Sequence, residues 1–101
     1  MVVDEQQGGN RIDVRLGDVV TVRLKENPTT GYRWAVEQAG GLQLEGDRNA
    51  GVGPAPGAGG VRELDFRAGT PGDHELRLKQ WRDWQGDASV IGRFLLSVHV
   101  G

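Results

Sequence analysis

Catalysis needs positioned nucleophiles, bases or metal ligands, and few residues of this chain qualify. There is no cysteine, which removes thiol nucleophiles, thiolate metal sites and disulfides together. Ser89 and Ser97 stand without a nucleophile motif around them. His74 and His99 are the only imidazoles and lack metal-ligand spacing. His99 falls on the polar face of a strand and His74 at a strand start beside Asp73, so both read as solvated surface residues. Glu63, Asp65 and Glu75 occupy outward strand positions and read as a charged outer face. Gly57-Ala58-Gly59-Gly60 has the look of a phosphate cradle, but no helical pattern follows it to supply the helix terminus such loops rely on. These residues do not assemble into an enzyme, and nothing among them asks for a cofactor or a metal.

Recognition is the chemistry the residues suit better. Asn27-Pro28-Thr29-Thr30-Gly31-Tyr32 joins two apolar-alternating runs. Pro28 fixes its own φ and biases Asn27 towards an extended conformation, while Gly31 permits a positive φ. The product is a stiff loop with a small polar tip. Further along, Gln80-Trp81-Arg82-Asp83-Trp84 places two tryptophans at a strand end. Trp81 reads as a lid folded over the core. Trp84, in a polar turn, reads as an anchor for a protein partner, a role for which tryptophan is favoured.

The elements that must hold these loops are strands. Period-2 alternation dominates from Arg11 onward. Ile12, Val14 and Leu16 share one face, as do Val20, Val22 and Leu24, then Trp34 and Val36. Leu42 and Leu44 give a short strand; Leu64 and Phe66, Leu76 and Leu78, and Phe94, Leu96, Val98 and Val100 continue the pattern. Arg48 to Gly60 is too rich in glycine and proline for a strand interior and reads as a long loop. No segment shows sustained helical spacing. The prediction is an all-β, immunoglobulin-like antiparallel β-sandwich of seven to eight strands, occupying residues 1–101 as one domain. In a sandwich, alternate connections return to the same end. That brings together Asn27–Tyr32, the glycine-rich stretch and Arg82–Gln85.

The bulk properties narrow the partners. With 12 basic and 14 acidic residues the net charge is -2, which leaves no electrostatic footprint for nucleic acid or an anionic membrane. No apolar run approaches the roughly 20 residues of a membrane span. The start Met1-Val2-Val3-Asp4-Glu5 has no signal-like character, so the compartment stays open: periplasmic or secreted if a leader was trimmed, cytoplasmic otherwise. The alternating faces leave no spare apolar stripe, so a monomer is expected.

Taken jointly, the three loops resemble those of the chagasin-like inhibitors of papain-family cysteine proteases. Asn27-Pro28-Thr29-Thr30-Gly31-Tyr32 matches that family's N-P-T-T-G-aromatic loop throughout. Gly57-Ala58-Gly59-Gly60 matches its G-x-G-G loop, and Arg82-Asp83-Trp84 falls where the family has R-P-W. The resemblance implies a reversible, competitive, non-covalent protein inhibitor whose loops wedge into the protease cleft. Thr29 and Thr30 would approach the catalytic cysteine, the Gly57–Gly60 backbone would line the unprimed cleft, Trp84 would stack on the primed side, and Arg82 would make contacts at the rim. Two positions depart from the pattern. Asp83 replaces the proline and is placed to pair with Arg82 and withdraw it from a partner. Pro56 stands where an apolar residue helps fill the specificity pocket. Asp83 favours a competing reading, an immunoglobulin-like binding or adhesion module without inhibitory activity; the intact Asn27–Tyr32 loop argues against it, since a bare scaffold does not need two threonines at that tip.

Overall fold

The computed structural model describes residues 1–27, 30–50 and 60–101. Among them run eight strands: β1 (Val2–Val3), β2 (Arg11–Val14), β3 (Val19–Glu26), β4 (Arg33–Gln38), β5 (Leu42–Ala50), β6 (Gly60–Ala68), β7 (Gly72–Trp81) and β8 (Gly92–Val100). They form two four-stranded sheets, ordered β1-β3-β6-β5 and β2-β8-β7-β4. The apolar alternation explains the layering. Val20, Val22 and Leu24 of β3 and Leu64, Phe66 and Ala68 of β6 are buried in one core with Leu76 and Leu78 of β7 and Phe94, Leu96, Val98 and Val100 of β8. Full burial of each such Val, Leu or Phe side chain contributes about 1.5–3 kcal/mol.

The all-β sandwich read from the alternation is what forms, with each sheet mixed rather than wholly antiparallel. Four of the six pairings are antiparallel, whereas the edge strands β1 and β2 pair with β3 and β8 in parallel. Leu16, expected inward, is 54% exposed, because β2 ends at Val14 and the chain turns through Gly17. Ile12 and Val36 are only partly buried against the core, while Val3, Leu42 and Ala68 join it. The segment expected to be loop from Arg48 is shorter than predicted: β5 continues through Ala50 and β6 begins at Gly60. β5 can run that far because its composition up to Ala50 is not yet glycine-rich and β6 offers a continuous partner, Ala50 lying opposite Val61.

His74 is not a solvated surface residue. Its Nδ1 accepts the Gly41 N–H at 3.0 Å and its Nε2 lies 2.7 Å from the Thr70 carbonyl oxygen. That pair of partners sets the tautomer with the proton on Nε2. The ring thereby joins two turns at one end of the sandwich. His99, half-buried, has Nδ1 at 2.7 Å from an Asp73 carboxylate oxygen, and this bond holds Asp73 below the usual carboxylate range.

Candidate functional site

At the other end of the sandwich β3, β5 and β7 finish and β4 and β6 begin. Glu26, the last residue of β3, pairs with Gly60, the first of β6. Ala50, the last of β5, pairs with Val61, and Arg33, the first of β4, pairs with Trp81, the last of β7. The connections 27–32, 51–59 and 82–91 therefore spring from the same end, as strand counting predicts. Of the predicted site residues, Pro28, Thr29, Pro56, Gly57, Ala58 and Gly59 lie outside the described residues. Asn27, Thr30, Gly31, Tyr32, Gly60, Arg82, Asp83 and Trp84 lie within them.

The first connection is closed by its own threonine. The Asn27 carbonyl accepts from the Thr30 N–H at 3.2 Å and from Thr30 Oγ1 at 2.9 Å. Thr30 Oγ1 in turn accepts from the Tyr32 N–H at 3.3 Å. Thr30 thus has scaffold work at this tip, so one of the two threonines is accounted for by the loop's own closure. Gly31 follows with φ 78°, a left-handed conformation that favours glycine.

The second reason for glycine at position 31 is Trp84. A Cβ placed on Gly31 would lie 2.7 Å from Trp84 Cη2, so the indole sits directly against the bare backbone. Trp84 occupies a 3-10 turn, Asp83–Gln85, closed when Gln85 N–H bonds the Arg82 carbonyl at 3.0 Å. The turn is held in place by Ser89, whose Oγ accepts the Arg82 N–H at 3.0 Å and lies 2.9 Å and 2.7 Å from the carbonyls of Arg82 and Gly86. Ser89 is thereby a staple of this loop, a role its bare sequence context does not announce. Despite its contact with Gly31, Trp84 remains 66% exposed.

Arg82 fuses the two loops. Its Nε and Nη2 both donate to the Thr30 carbonyl, at 3.1 and 2.9 Å, and its guanidinium carbon lies 4.2 Å from the centre of the Tyr32 ring. Cation–π stacking and a two-pronged hydrogen bond fix a planar guanidinium better than a lysine would be fixed. One expectation falls here: Arg82 braces this end with Thr30 as its partner rather than Asp83. Trp81 is not the lid either. It is half-buried, with Lys79 Nζ 3.5 Å from its ring centre, and the tryptophan in the core is Trp34, whose Nε1 donates to the Lys25 carbonyl at 2.9 Å.

Beneath these loops lies a group of charges that sequence reading missed. Glu26 and Arg62 are buried, and Arg62 Nη1 donates to both Glu26 carboxylate oxygens at 3.2 and 3.0 Å. Arg62 Nη2 donates to Asp47 Oδ2 at 2.8 Å, and its Nε bonds the other Asp47 oxygen. The guanidinium's hydrogen bond holds the Asp47 carboxyl below its ordinary range, against the opposing effect of burial. Arg33 Nε, 3.8 Å from Glu26, completes two cations for two anions. The signal was present: alternation continued two residues past Leu24 reaches Glu26, and two residues back from Leu64 reaches Arg62. Among the described residues no cluster of three His, Asp or Glu side chains is arranged to hold a metal ion.

The family model of the chagasin family peptidase inhibitors I42 matches residues 13–98. Chagasin of Trypanosoma cruzi is 28% identical over 101 residues, covering 91% of this chain and 90% of its own. Among solved structures, the cysteine protease inhibitor EhICP2 from Entamoeba histolytica is similar in fold, with a TM-score of 0.84 at 20% identity over 99% of this chain and 93% of that one. Amebosin, known from a solution structure, gives a TM-score of 0.83 at 27% identity over 99% and 96% of the two chains.

Proposed function

This chain belongs to the chagasin family of peptidase inhibitors, and from that premise we propose that it is a reversible, competitive, non-covalent inhibitor of papain-like cysteine proteases that presents one end of its sandwich to the active-site cleft. The observation that carries the reading is the interlock of Gly31, Arg82 and Trp84, which joins two connections into one braced edge and still leaves the indole exposed. In this reading Asn27, Pro28, Thr29, Thr30, Gly31 and Tyr32 form the central wedge facing the catalytic cysteine. Pro56, Gly57, Ala58, Gly59 and Gly60 line the unprimed side with backbone, as an extended peptide does. Trp84 stacks on the primed side, next to Asp83. Arg82 contributes from behind, by holding the wedge and the tryptophan together.

The chemistry is passive. The wedge offers the protease no scissile bond in cleavable register, so no covalent step follows and no cofactor takes part. Affinity comes from apolar area at Trp84 and from the contacts of Arg82 with Thr30 and of Trp84 with Gly31, made before the partner arrives, which lower the entropic cost of association.

Titration of papain and of a cathepsin L-like enzyme with the purified chain tests the reading. Saturable competitive inhibition, unaffected by a chelator, is the expected result. Absence of inhibition at high micromolar concentration, with the fold intact by circular dichroism, would overturn it.

A further inference from the structure

We infer that the array formed by buried Glu26 and Arg62 with the exposed Asp47 carboxylate is a positioning device, which fixes the roots of the 27–32 and 51–59 connections relative to each other. Arg62 sits on β6 between its two neighbours in the sheet, directly opposite Leu24 of β3 and Asn49 of β5. Its guanidinium reaches diagonally to Glu26 on one side and to Asp47 on the other. Glu26 immediately precedes the first connection, and Arg62 lies two residues beyond Gly60, where the second one ends. Glu26 does more, because its Oε2 also accepts the Trp34 N–H at 2.8 Å. Trp34 belongs to β4, in the opposite sheet, just past Tyr32. One carboxylate thus joins both legs of the first connection, and one guanidinium joins them to the second.

The placement of Asp47 depends on an irregularity. Pairing of β5 with β6 shifts register between Leu44 and Gly46, which leaves Asp47 opposite the inward-facing Leu64. Without that extra residue Gly46 would take this place and no carboxylate would face Arg62 from β5. Bulges commonly re-aim side chains in this way. Gly46 suits the bulge, since a Cβ there would lie 2.5 Å from an Asp65 oxygen.

Buried ion pairs are a poor route to stability, because desolvation offsets most of the attraction and apolar replacements often serve as well. What they supply is direction. Every buried side-chain nitrogen and oxygen among the described residues has a hydrogen-bond partner, so the buried Glu26–Arg62 pair at the centre of this array is fully satisfied. Apolar residues would close the end of the sandwich but would leave the two roots free to shift against each other.

The consequence for affinity rests on the inhibitor reading; the positioning itself does not. The test is the double variant Glu26→Gln/Arg62→Met, which removes both charges and keeps an oxygen for the Trp34 N–H. Its melting temperature is expected within a few degrees of wild type. Amide hydrogen exchange at Thr30, Tyr32, Gly60 and Val61 is expected to rise at least tenfold, with Leu76 and Leu96 unchanged. Against papain its inhibition constant should rise at least tenfold, chiefly through slower association, because fewer molecules hold the competent arrangement. Unchanged exchange at both roots would overturn the inference, as would an unchanged inhibition constant where wild type inhibits. If wild type itself fails to inhibit, the inhibitor reading falls, and the exchange measurement still decides the positioning.

Discussion

The two ends of the sandwich use the same device and finish with different surfaces. At one end Trp84 lies against Gly31 while Arg82 donates twice to the Thr30 carbonyl. At the other, His74 lies against Gly40 and Gly41 and bridges the Thr70 carbonyl and the Gly41 N–H. In each case a flat side chain covers glycines that a Cβ would displace, and a side chain ties a turn through its backbone. His74 serves as both cover and tie, and it ends half-buried with both ring nitrogens engaged. At the loop end the work is divided: Arg82 ties, Trp84 covers, and most of the indole is left in solvent. Bracing a turn does not require an exposed tryptophan, as the His74 end demonstrates. The surplus apolar area at Trp84 is what a partner would cover.

The comparison breaks first at Trp84. Trp84→Ala should weaken papain inhibition by more than ~2 kcal/mol if the indole is an interface anchor, with little change in melting temperature. Unchanged inhibition would remove Trp84 from the interface and make the two ends equivalent. The converse variant is His74→Ala, which leaves the Gly41 N–H without its acceptor. A partly buried donor left unpaired costs roughly 1–2 kcal/mol, so thermal denaturation should show a loss of stability while the inhibition constant stays where it was. A loss of inhibition at constant stability would mean that the far end also shapes the contact.

How far this could be read from the sequence depended on range. Alternation placed the strands of the core, because each apolar face repeats within a few residues. The Asn27–Tyr32 and Arg82–Trp84 loops stood out for the same reason, as short strings complete in themselves. The residues that were misread act across the chain. Arg82 looks placed to pair with Asp83 until Thr30, 52 residues away, is seen beneath it. His74 looks solvated because its partner Gly41 lies 33 residues upstream. Glu26 and Arg62 sit on inward positions of their strands, but charged residues at strand ends ordinarily read as solvated. Asp47 faces Arg62 only through a bulge that no local pattern announces. The parallel edges were invisible too, since β1 is two residues long and carries no alternation.

Smaller changes sharpen the contrast between the glycines. Gly31→Ala forces a side chain into a positive φ and into the indole, at a cost of about 1 kcal/mol or more in strain. Displacing Trp84 should weaken inhibition about tenfold, or ~1.4 kcal/mol. Gly40→Ala imposes comparable strain at φ 57° beneath His74, and should lower the melting temperature without touching inhibition. Equal effects of the two on inhibition would show that general destabilisation, rather than the seat of Trp84, is being measured.

The smallest expected effect is at Asp83, and it has the opposite sign. Asp83 opens its 3-10 turn, and the preceding Arg82 is already extended at φ -101° and ψ 111°. A residue before proline must be extended, and proline is at home in the first position of a helical turn, where its missing N–H costs nothing. Asp83→Pro should therefore fit without rearrangement and reduce the freedom of the unbound loop, tightening inhibition by about 0.4–1 kcal/mol. Because Arg82 is already committed to Thr30, removing the carboxylate releases no cation, and the gain should be insensitive to salt. A gain that vanishes at 0.5 M salt would mean that the Asp83 charge opposed the partner. Weaker inhibition would mean that Asp83 itself makes a contact in the complex.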